Sequence, residues 1–338
     1  MKQLVALTAI VLFSLPAFSQ FPWGKIQQNT TFGGYVIGQA TATDKSGADK
    51  KADMGVRLIR VYAESKIGDF AFKLQMHLNG NMSELNKSPR FVDAWAEWRR
   101  WPELRVRFGQ MKRCFTFENP MHPWLLGRGN YSQLSTKMAG FSDRTGEHSS
   151  NGRDFGAQIY GDLFPFGEKH NRFLHYQVGV YNGQGLNFYD KNTRKDVMGG
   201  LWISPVKGLQ IGGFAWNGNY VNNAGQTIDR ERYSAGVNYT GIWSARAEYA
   251  IDEANGKADA WYAIVGTPEW YRTKVFLYYD VYREAKSFDN STSIYGASIQ
   301  HMLDKNLMFQ FNYGFNHANT EGASQNYNTF DLQLYWRF

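Results

Sequence analysis

Apolar and polar residues alternate along nearly the whole of this 338-residue chain, and this period of two constrains the fold more than any other feature. From Phe70 to Asn79, apolar side chains occupy every second position, and most positions between them are polar. The last nine residues, Phe330 to Phe338, repeat the pattern with Phe, Leu and Trp opposite Asp, Gln, Tyr and Arg. Such alternation predicts β-strands with one apolar and one polar face.

Sixteen such segments are separated by turns of two kinds. Short turns alternate with longer polar connections, as in an antiparallel up-and-down barrel whose two rims face different compartments. The predicted strands are 30–40, 55–64, 70–79, 90–100, 104–110, 153–162, 172–181, 194–204, 208–217, 230–240, 242–251, 258–266, 271–282, 291–301, 307–315 and 330–338. The longer connections lie near 41–53, 80–89, 111–152, 182–193, 218–229, 252–257, 283–290 and 316–326. We therefore expect an all-β fold, a transmembrane barrel of about 16 strands.

A soluble β-sandwich is the main alternative, because it shows the same alternation. Three features favour the membrane. The predicted outer faces are rich in aromatic residues, which make up 16% of the chain, no domain linker is apparent, and the last strand ends in Phe338.

Beyond the first twenty residues, no stretch approaches the roughly 18 apolar residues of a membrane-spanning helix. The single cysteine, Cys114, excludes an intrachain disulfide.

The N-terminus has the features of an export signal. Lys2 precedes an apolar run from Leu4 to Phe18, and the small residues Ala17 and Ser19 favour cleavage before Gln20. An N-terminal anchor helix is the alternative, but Pro16 and the short apolar run disfavour it. We expect a signal peptide at 1–19 and a single outer-membrane barrel domain at 20–338.

Short motifs along the chain resemble one porin family. Residues 108–120 read F-G-Q-M-K-R-C-F-T-F-E-N-P and resemble the G-Q-F-K-x-P-F-x-x-E-N segment of the phosphate-selective porin O and P family. Similar motifs occur at 151–156 (N-G-R-D-F-G) and 179–185 (G-V-Y-N-G-Q-G). The chain departs from the family at Met111 and Cys114, where phenylalanine and proline are usual. The resemblance implies a trimeric sixteen-stranded outer-membrane channel, with phosphate among the solutes to consider.

The connection 111–152 is the longest, and we expect it to fold toward the lumen and constrict it. Strand parity points Arg105 and Arg107 inward, because a charge on the lipid face near the midplane costs about 2–4 kcal/mol. Rings of basic residues are typical of anion pores. The residues predicted to contact solute are Arg105, Arg107, Lys112, Arg113 and Lys73; further basic residues on polar faces are Arg232, Arg246, Arg272, Lys274 and Arg337.

The basic residues also allow a structural interpretation. Lumenal arginines can simply pair with lumenal acids such as Asp93, Glu97 and Glu248, and the net charge of +7 is modest. Arg153 and Asp154, where the long connection returns to the barrel, are predicted to anchor the loop as a structural ion pair.

The sequence thus predicts a passive outer-membrane porin that prefers small anions. We expect it to be a homotrimer in contact with outer-membrane lipid and lipopolysaccharide, without cofactor, metal or nucleic-acid partner. A non-conducting structural or adhesion barrel is the alternative. Enzymatic activity is not expected, because the histidines lack metal-binding spacing and His148 beside Ser149 and Ser150 in a polar loop is typical of solvated residues.

Overall fold

The computed structural model describes Gly24 and residues 28–78, 89–147, 149–167 and 171–338. Its strands are β1 (Thr30–Thr43), β2 (Ala52–Ile67), β3 (Phe70–Leu78), β4 (Arg90–Trp101), β5 (Leu104–Lys112), β6 (Arg153–Phe166), β7 (Asn171–Tyr181), β8 (Asp196–Ile203), β9 (Leu209–Val221), β10 (Thr227–Thr240), β11 (Ser244–Asp252), β12 (Ala258–Gly266), β13 (Thr273–Glu284), β14 (Asn290–Asp304), β15 (Leu307–Thr320) and β16 (Ala323–Arg337). A 3₁₀ helix (Pro123–Leu125) and a short helix α1 (Gln133–Met138) lie between β5 and β6. In this part of the chain, no helix is long and apolar enough to cross a membrane. The predicted signal peptide, 1–19, lies outside the described residues.

The strands form a closed antiparallel barrel in which each strand pairs with its neighbours in sequence and β1 pairs with β16. Tyr35 lies opposite Arg337 in the closing pair. The last residue continues the ladder, because the Gly34 amide donates to the Phe338 carbonyl at 2.9 Å and the Phe338 amide donates back at 3.0 Å. The predicted sixteen-stranded up-and-down barrel is confirmed.

The outer surface of the barrel is apolar, as expected for strands that contact lipid. Along β3, Phe72 and Leu74 are 42% and 52% exposed, whereas Gln75 and His77 are buried on the inner face. In a soluble sandwich the apolar faces would be buried against each other and the polar faces would contact water. The observed arrangement is the reverse, which excludes the sandwich.

The connections on one rim are shorter than the sequence predicted. The predicted loop 218–229 contains only residues 222–226 outside strands, and 316–326 is reduced to a turn at Glu321 and Gly322. The strands continue past the apolar band in both places. Beyond the membrane both faces of a strand contact water, so alternation disappears from the sequence although strand pairing continues.

The interior is filled mainly by the connection 113–152, which we call the constriction loop, and it packs against the inner wall formed by β8 to β13. Phe115 contacts Phe214 and Trp216 edge-on, and Phe117 packs on Trp202. The buried cluster also includes Met111 of β5, Cys114, Leu134 and Met138 of the loop, and Tyr262, Ile264 and Phe276 of the wall. The hydrophobic core of this protein therefore lies inside the barrel, between loop and wall.

Candidate functional site

Buried ion pairs fasten the constriction loop to the wall. Arg232 of β10 pairs with Asp143 of the loop at 2.6 Å, and Arg128 of the loop pairs with Asp280 of β13 at 2.6 Å. Arg246 contacts Glu118 at 3.2 Å. Burial raises the pKa of Glu118, but the positive charges of Arg246 and Arg128 outweigh it and hold that pKa below its usual value. The Glu118 carboxylate therefore stays ionised at neutral pH and keeps its ion pair with Arg246.

The neck of the loop is closed by Asn119 and Gly152. The Asn119 side-chain amide donates to the carbonyl of Arg113 at 2.9 Å and to that of Gly152 at 3.2 Å. Gly152 has φ +68°, and a Cβ there would lie 1.9 Å from the Asn119 Oδ1. Only glycine fits this position without displacing Asn119.

From the neck, the segment His122–Asn130, which we call the loop tip, crosses to the opposite wall. The His122 ring lies 4.4 Å from the Tyr35 ring, centre to centre, and the Arg337 guanidinium lies 4.3 Å from the centre of the Trp124 ring. The Gly129 carbonyl accepts a hydrogen bond from Arg57 at 2.5 Å. The predicted fold of the long loop toward the lumen is thus observed.

The wall that faces the loop tip is basic, and we call its four residues Arg57, Arg60, Lys73 and Arg337 the cationic wall. Arg60 is 6% exposed and donates to the Tyr35 hydroxyl at 3.1 Å. Among the described residues, no carboxylate lies within 4.0 Å of Arg57, Arg60 or Arg337. Lys73 pairs with Glu64 at 2.7 Å. Three of the four cations therefore have no ion-pair partner among the residues that the structure describes.

The same positive charges shift the pKa of His122. Burial lowers its pKa, and the positive charges of Arg60, Lys73, Arg337 and Lys112 lower it further, to about 4. A second proton is disfavoured on this ring because the surrounding cations repel it. The loop tip consequently faces a region of net positive potential.

Sequence parity could not identify Arg57 and Arg60 together, because residues three apart point to opposite faces of a regular strand. The register between β1 and β2 shifts between Ile37 and Gly38, which pair with Leu58 and Val56 and leave Arg57 unopposed. Such a β-bulge re-aims side chains. It places both arginines inside, and His122 had no sequence signal beyond its position in the long loop.

The residues predicted to contact solute lie along the same side of the barrel, mostly with acidic partners. Arg107 donates to Glu97 at 2.8 Å, and Arg105 lies 3.4 Å from Asp162. Both arginines keep about a quarter of the side chain exposed, at 24% and 28%. Arg105 and Arg107 therefore pair with acidic residues of the lumen, as the structural interpretation expects.

Lys112 and Arg113 lie at the start of the loop. The Lys112 ammonium lies 3.2 Å from the Asn119 Oδ1 and 4.5 Å from the centre of the Phe141 ring. The Arg113 side chain is completely buried and pairs with Glu147 at 2.6 Å and Asp154 at 3.0 Å. Arg113 therefore holds the neck together and has no surface left for a solute.

Arg153 and Asp154 each join an ion pair at the loop's return, but not with each other. Arg153 pairs with Asp93 of β4 at 2.7 Å, whereas Asp154 pairs with Arg113. Adjacent residues of a strand point in different directions, which explains the separate partners.

His148 lies outside the described residues, and the Ser150 hydroxyl is buried and donates to the Gly140 carbonyl at 2.6 Å. Within the described ranges, no group of three or more His, Cys, Asp or Glu residues is placed to hold a metal ion.

Comparisons with known proteins identify this architecture as that of porins. The barrel is similar to the anion-selective porin from Comamonas acidovorans, with a TM-score of 0.67 and 16% identity over 91% of this chain and 99% of that one. It is also similar to the outer membrane channel DcaP of Acinetobacter baumannii, with a TM-score of 0.62 and 12% identity over 91% and 97% of the two chains.

A third similar structure is the trimer form of OmpT, an outer membrane protein of Vibrio cholerae, with a TM-score of 0.60 and 13% identity over 91% of this chain and 99% of that one. No family model matches the chain, and no curated protein matches it. The fold is thus that of outer-membrane porins, while the phosphate-selective porin O and P family remains a resemblance of motifs.

Proposed function

We propose that this protein is an outer-membrane porin through which small solutes diffuse passively, with a preference for anions. The single observation that carries the preference is the cationic wall, where Arg57, Arg60 and Arg337 face the loop tip without an ion-pair partner among the described residues. Fixed cations in a narrow passage attract anions and repel cations, and walls of low dielectric constant concentrate their field.

The loop tip and the cationic wall act together in this proposal. In open solution, salt screens charges beyond about 8 Å at physiological ionic strength. The loop tip itself lies within hydrogen-bond distance of the cationic wall, as the contact from Arg57 to Gly129 illustrates, so in this proposal the opening that the loop leaves is bordered by these cations. A permeating anion therefore passes well within the screening length.

The basic residues along β3 and β5 extend this path in the proposal. Lys73, Arg105, Arg107 and Lys112 remain the predicted solute contacts, with weaker influence because three of them have carboxylate partners. Arg113 has no such role because it is completely buried, and Arg60, which is only 6% exposed, acts through its electric field and not through contact with the solute. Phosphate is the anion that the motif resemblance suggests, and the similar Comamonas porin is described as anion-selective.

The surroundings of the barrel also belong to the proposal. Export by cleavage after residue 19 would deliver the chain to the outer membrane, where its apolar surface contacts lipid and lipopolysaccharide. A homotrimer is supported by the trimer form of the similar Vibrio protein. Gly34 of β1 makes room for the last residue of the same chain, since a Cβ there would lie 2.6 Å from the Phe338 ring. Light scattering in detergent should give three times the chain mass; a monomer mass would remove the trimer from the proposal.

Swelling of proteoliposomes tests the channel itself. Liposomes that contain the refolded protein should swell in isosmotic solutions of small neutral and anionic solutes, faster than liposomes with heat-denatured protein. Absence of swelling for every solute would favour a non-conducting structural barrel. Swelling that is equal for anions and for cations of the same size would leave the channel but remove its selectivity.

A further inference from the structure

The lumen contains an apolar pocket between the underside of the loop tip and the rim that carries the turns at 241–243 and 267–272. The pocket encloses about 270 Å³. Met121, Trp124 and Leu126 of the loop form one side, and the wall contributes Ile264, Phe276, Met302 and Met308 at the other. Ile264 and Phe276 also belong to the buried cluster between loop and wall, so the pocket opens at the edge of that cluster.

The loop is held over this pocket by specific contacts. The Arg246 guanidinium donates to the Leu126 carbonyl at 3.2 Å and to the Tyr262 hydroxyl at 2.8 Å. Gly127, with φ +74°, lies so close to the wall that a Cβ would be 2.7 Å from the Phe276 ring. The apolar side chains of the loop are therefore presented in a fixed arrangement.

Charged groups at the edge of the pocket favour an anion. Besides Arg246, which is engaged by Glu118, the charged lining residues are Glu269, Arg272 and Lys274. None of these three forms an ion pair within 4.0 Å in the described part of the chain. Two cations against one carboxylate leave an excess positive charge beside an apolar surface.

From this juxtaposition we propose that the pocket is a binding site for amphipathic organic anions, small carboxylates with an aromatic or short aliphatic body. The body would lie against Met121, Trp124 and Phe276, and the carboxylate would face Arg272 and Lys274. An apolar cavity of about 150 Å³ is known to take up benzene, so a pocket of this size holds one ring with room for a carboxylate-bearing chain.

Two contributions favour binding, apolar burial and charge attraction, and a simple inorganic anion has only the second. The ring leaves water for the apolar lining, while the carboxylate keeps cationic partners that are still partly hydrated. The proposal rests on the proposed channel function in one respect, since the ligand reaches the pocket through the lumen. A carboxylate held here would reduce the passage of chloride beside it.

The test compares phenylacetate with acetate, which has the same charge without the ring. Isothermal titration calorimetry on the detergent-solubilised protein should detect phenylacetate binding, and phenylacetate should reduce chloride conductance in planar bilayers at concentrations where acetate does not. The double variant Arg272→Gln/Lys274→Gln should weaken phenylacetate binding roughly tenfold, the ratio that follows from losing two partly exposed ion pairs. Met302→Gln, which puts an amide into the lining at similar volume, should also weaken it.

The matched control is Lys305→Gln, in the neighbouring turn and outside the pocket lining, which should leave phenylacetate binding unchanged. The uncharged analogue 2-phenylethanol should bind more weakly and be insensitive to the Arg272 and Lys274 changes. Phenylacetate that binds no better than acetate, or that binds equally to the double variant, would overturn the proposal. Conductance in KCl alone reports the channel separately, so a protein that conducts but does not bind phenylacetate disproves only the pocket.

Discussion

Arg60 is an unusual residue because its charge is buried beside the lumen without a carboxylate partner in the described part of the chain. Its side chain donates to the Tyr35 hydroxyl, while its Nε has no partner there. A buried, uncompensated charge destabilises a fold. In the proposed function, the use that offsets this cost is anion selection.

Replacing Arg60 with glutamine should therefore reduce anion preference without preventing barrel assembly. One unit charge at about 8 Å contributes about 0.5 kcal/mol even in water, so the anion-to-cation permeability ratio should fall roughly two- to fivefold. Reversal potentials in planar bilayers measure this ratio. The control Lys50→Gln, at an exposed lysine paired with Asp53 at 3.0 Å, should change it much less. Equal ratios for Arg60→Gln and the wild type would show that Arg60 does not face the ion path.

The proposed anion selectivity should depend on pH through His122. Its pKa of about 4 means that the ring is neutral at pH 7 and gains a proton only as the pH falls through about 4. Anion preference should increase over that interval, partly through His122 and partly through carboxylates. His122→Gln should show a smaller increase; the same titration curve in both proteins would contradict the assignment.

The sign of the effect on stability follows from the same pKa. The folded state holds the His122 pKa below the ordinary value of 6.5, so between the two values the unfolded chain binds more protons. The contribution of this residue to stability is therefore present above about pH 6.5 and is lost as the pH falls toward about 4.

At the scale of elements, sequence periodicity predicted the strands well and the site only in part. Alternation identified all sixteen strands because lipid outside and water inside impose opposite requirements on successive residues. It did not identify the extended hairpins above the membrane, such as the turn at Glu321 and Gly322. It also did not identify Arg57, because a β-bulge changes parity without any marker in the sequence. The sequence predicted Arg113 as a solute contact, which is wrong because its side chain is buried in the folded loop. Such burial depends on tertiary packing, which strand periodicity does not reveal.

The constriction loop should detach when its buried ion pairs are removed. Asp143→Asn leaves Arg232 with only Asp252, at 3.0 Å, as its carboxylate partner, and losing a charged hydrogen bond of this kind costs about 1.5–3 kcal/mol. We expect noisier open-channel currents and faster tryptic cleavage at Lys137 and Arg144, with the barrel still assembled. Asp53→Asn, at an exposed pair, should cause neither; equal cleavage rates in all three proteins would contradict the anchoring.

Closure of the barrel should depend on the last residue. Phe338 completes the ladder with Gly34, and its 54% exposed ring lies on the outer face. Deleting Phe338 removes two backbone hydrogen bonds and an aromatic residue at the membrane interface, so the yield of heat-modifiable protein in the membrane fraction should fall severalfold. Phe338→Tyr retains both features and should assemble normally. Full membrane yield of the truncated chain would contradict this role.

As a whole, the proposed porin is a barrel whose constriction loop narrows the lumen beside cations that have no carboxylate partner in the described part of the chain. The formal charge of +7 is spread over the chain, and most lumenal arginines are neutralised by partners. In the proposed function, selectivity therefore depends on where the unpaired charges lie and not on the total charge.

The reversal potential of the wild-type protein under a steep KCl gradient tests this claim most directly. An anion-preferring pore moves the reversal potential toward the equilibrium potential of chloride, because chloride crosses more readily than potassium. We predict that sign at neutral pH and a larger magnitude at low salt, where screening is weaker. A reversal potential of the opposite sign, or one at zero, would contradict the central claim that the cationic wall controls permeation.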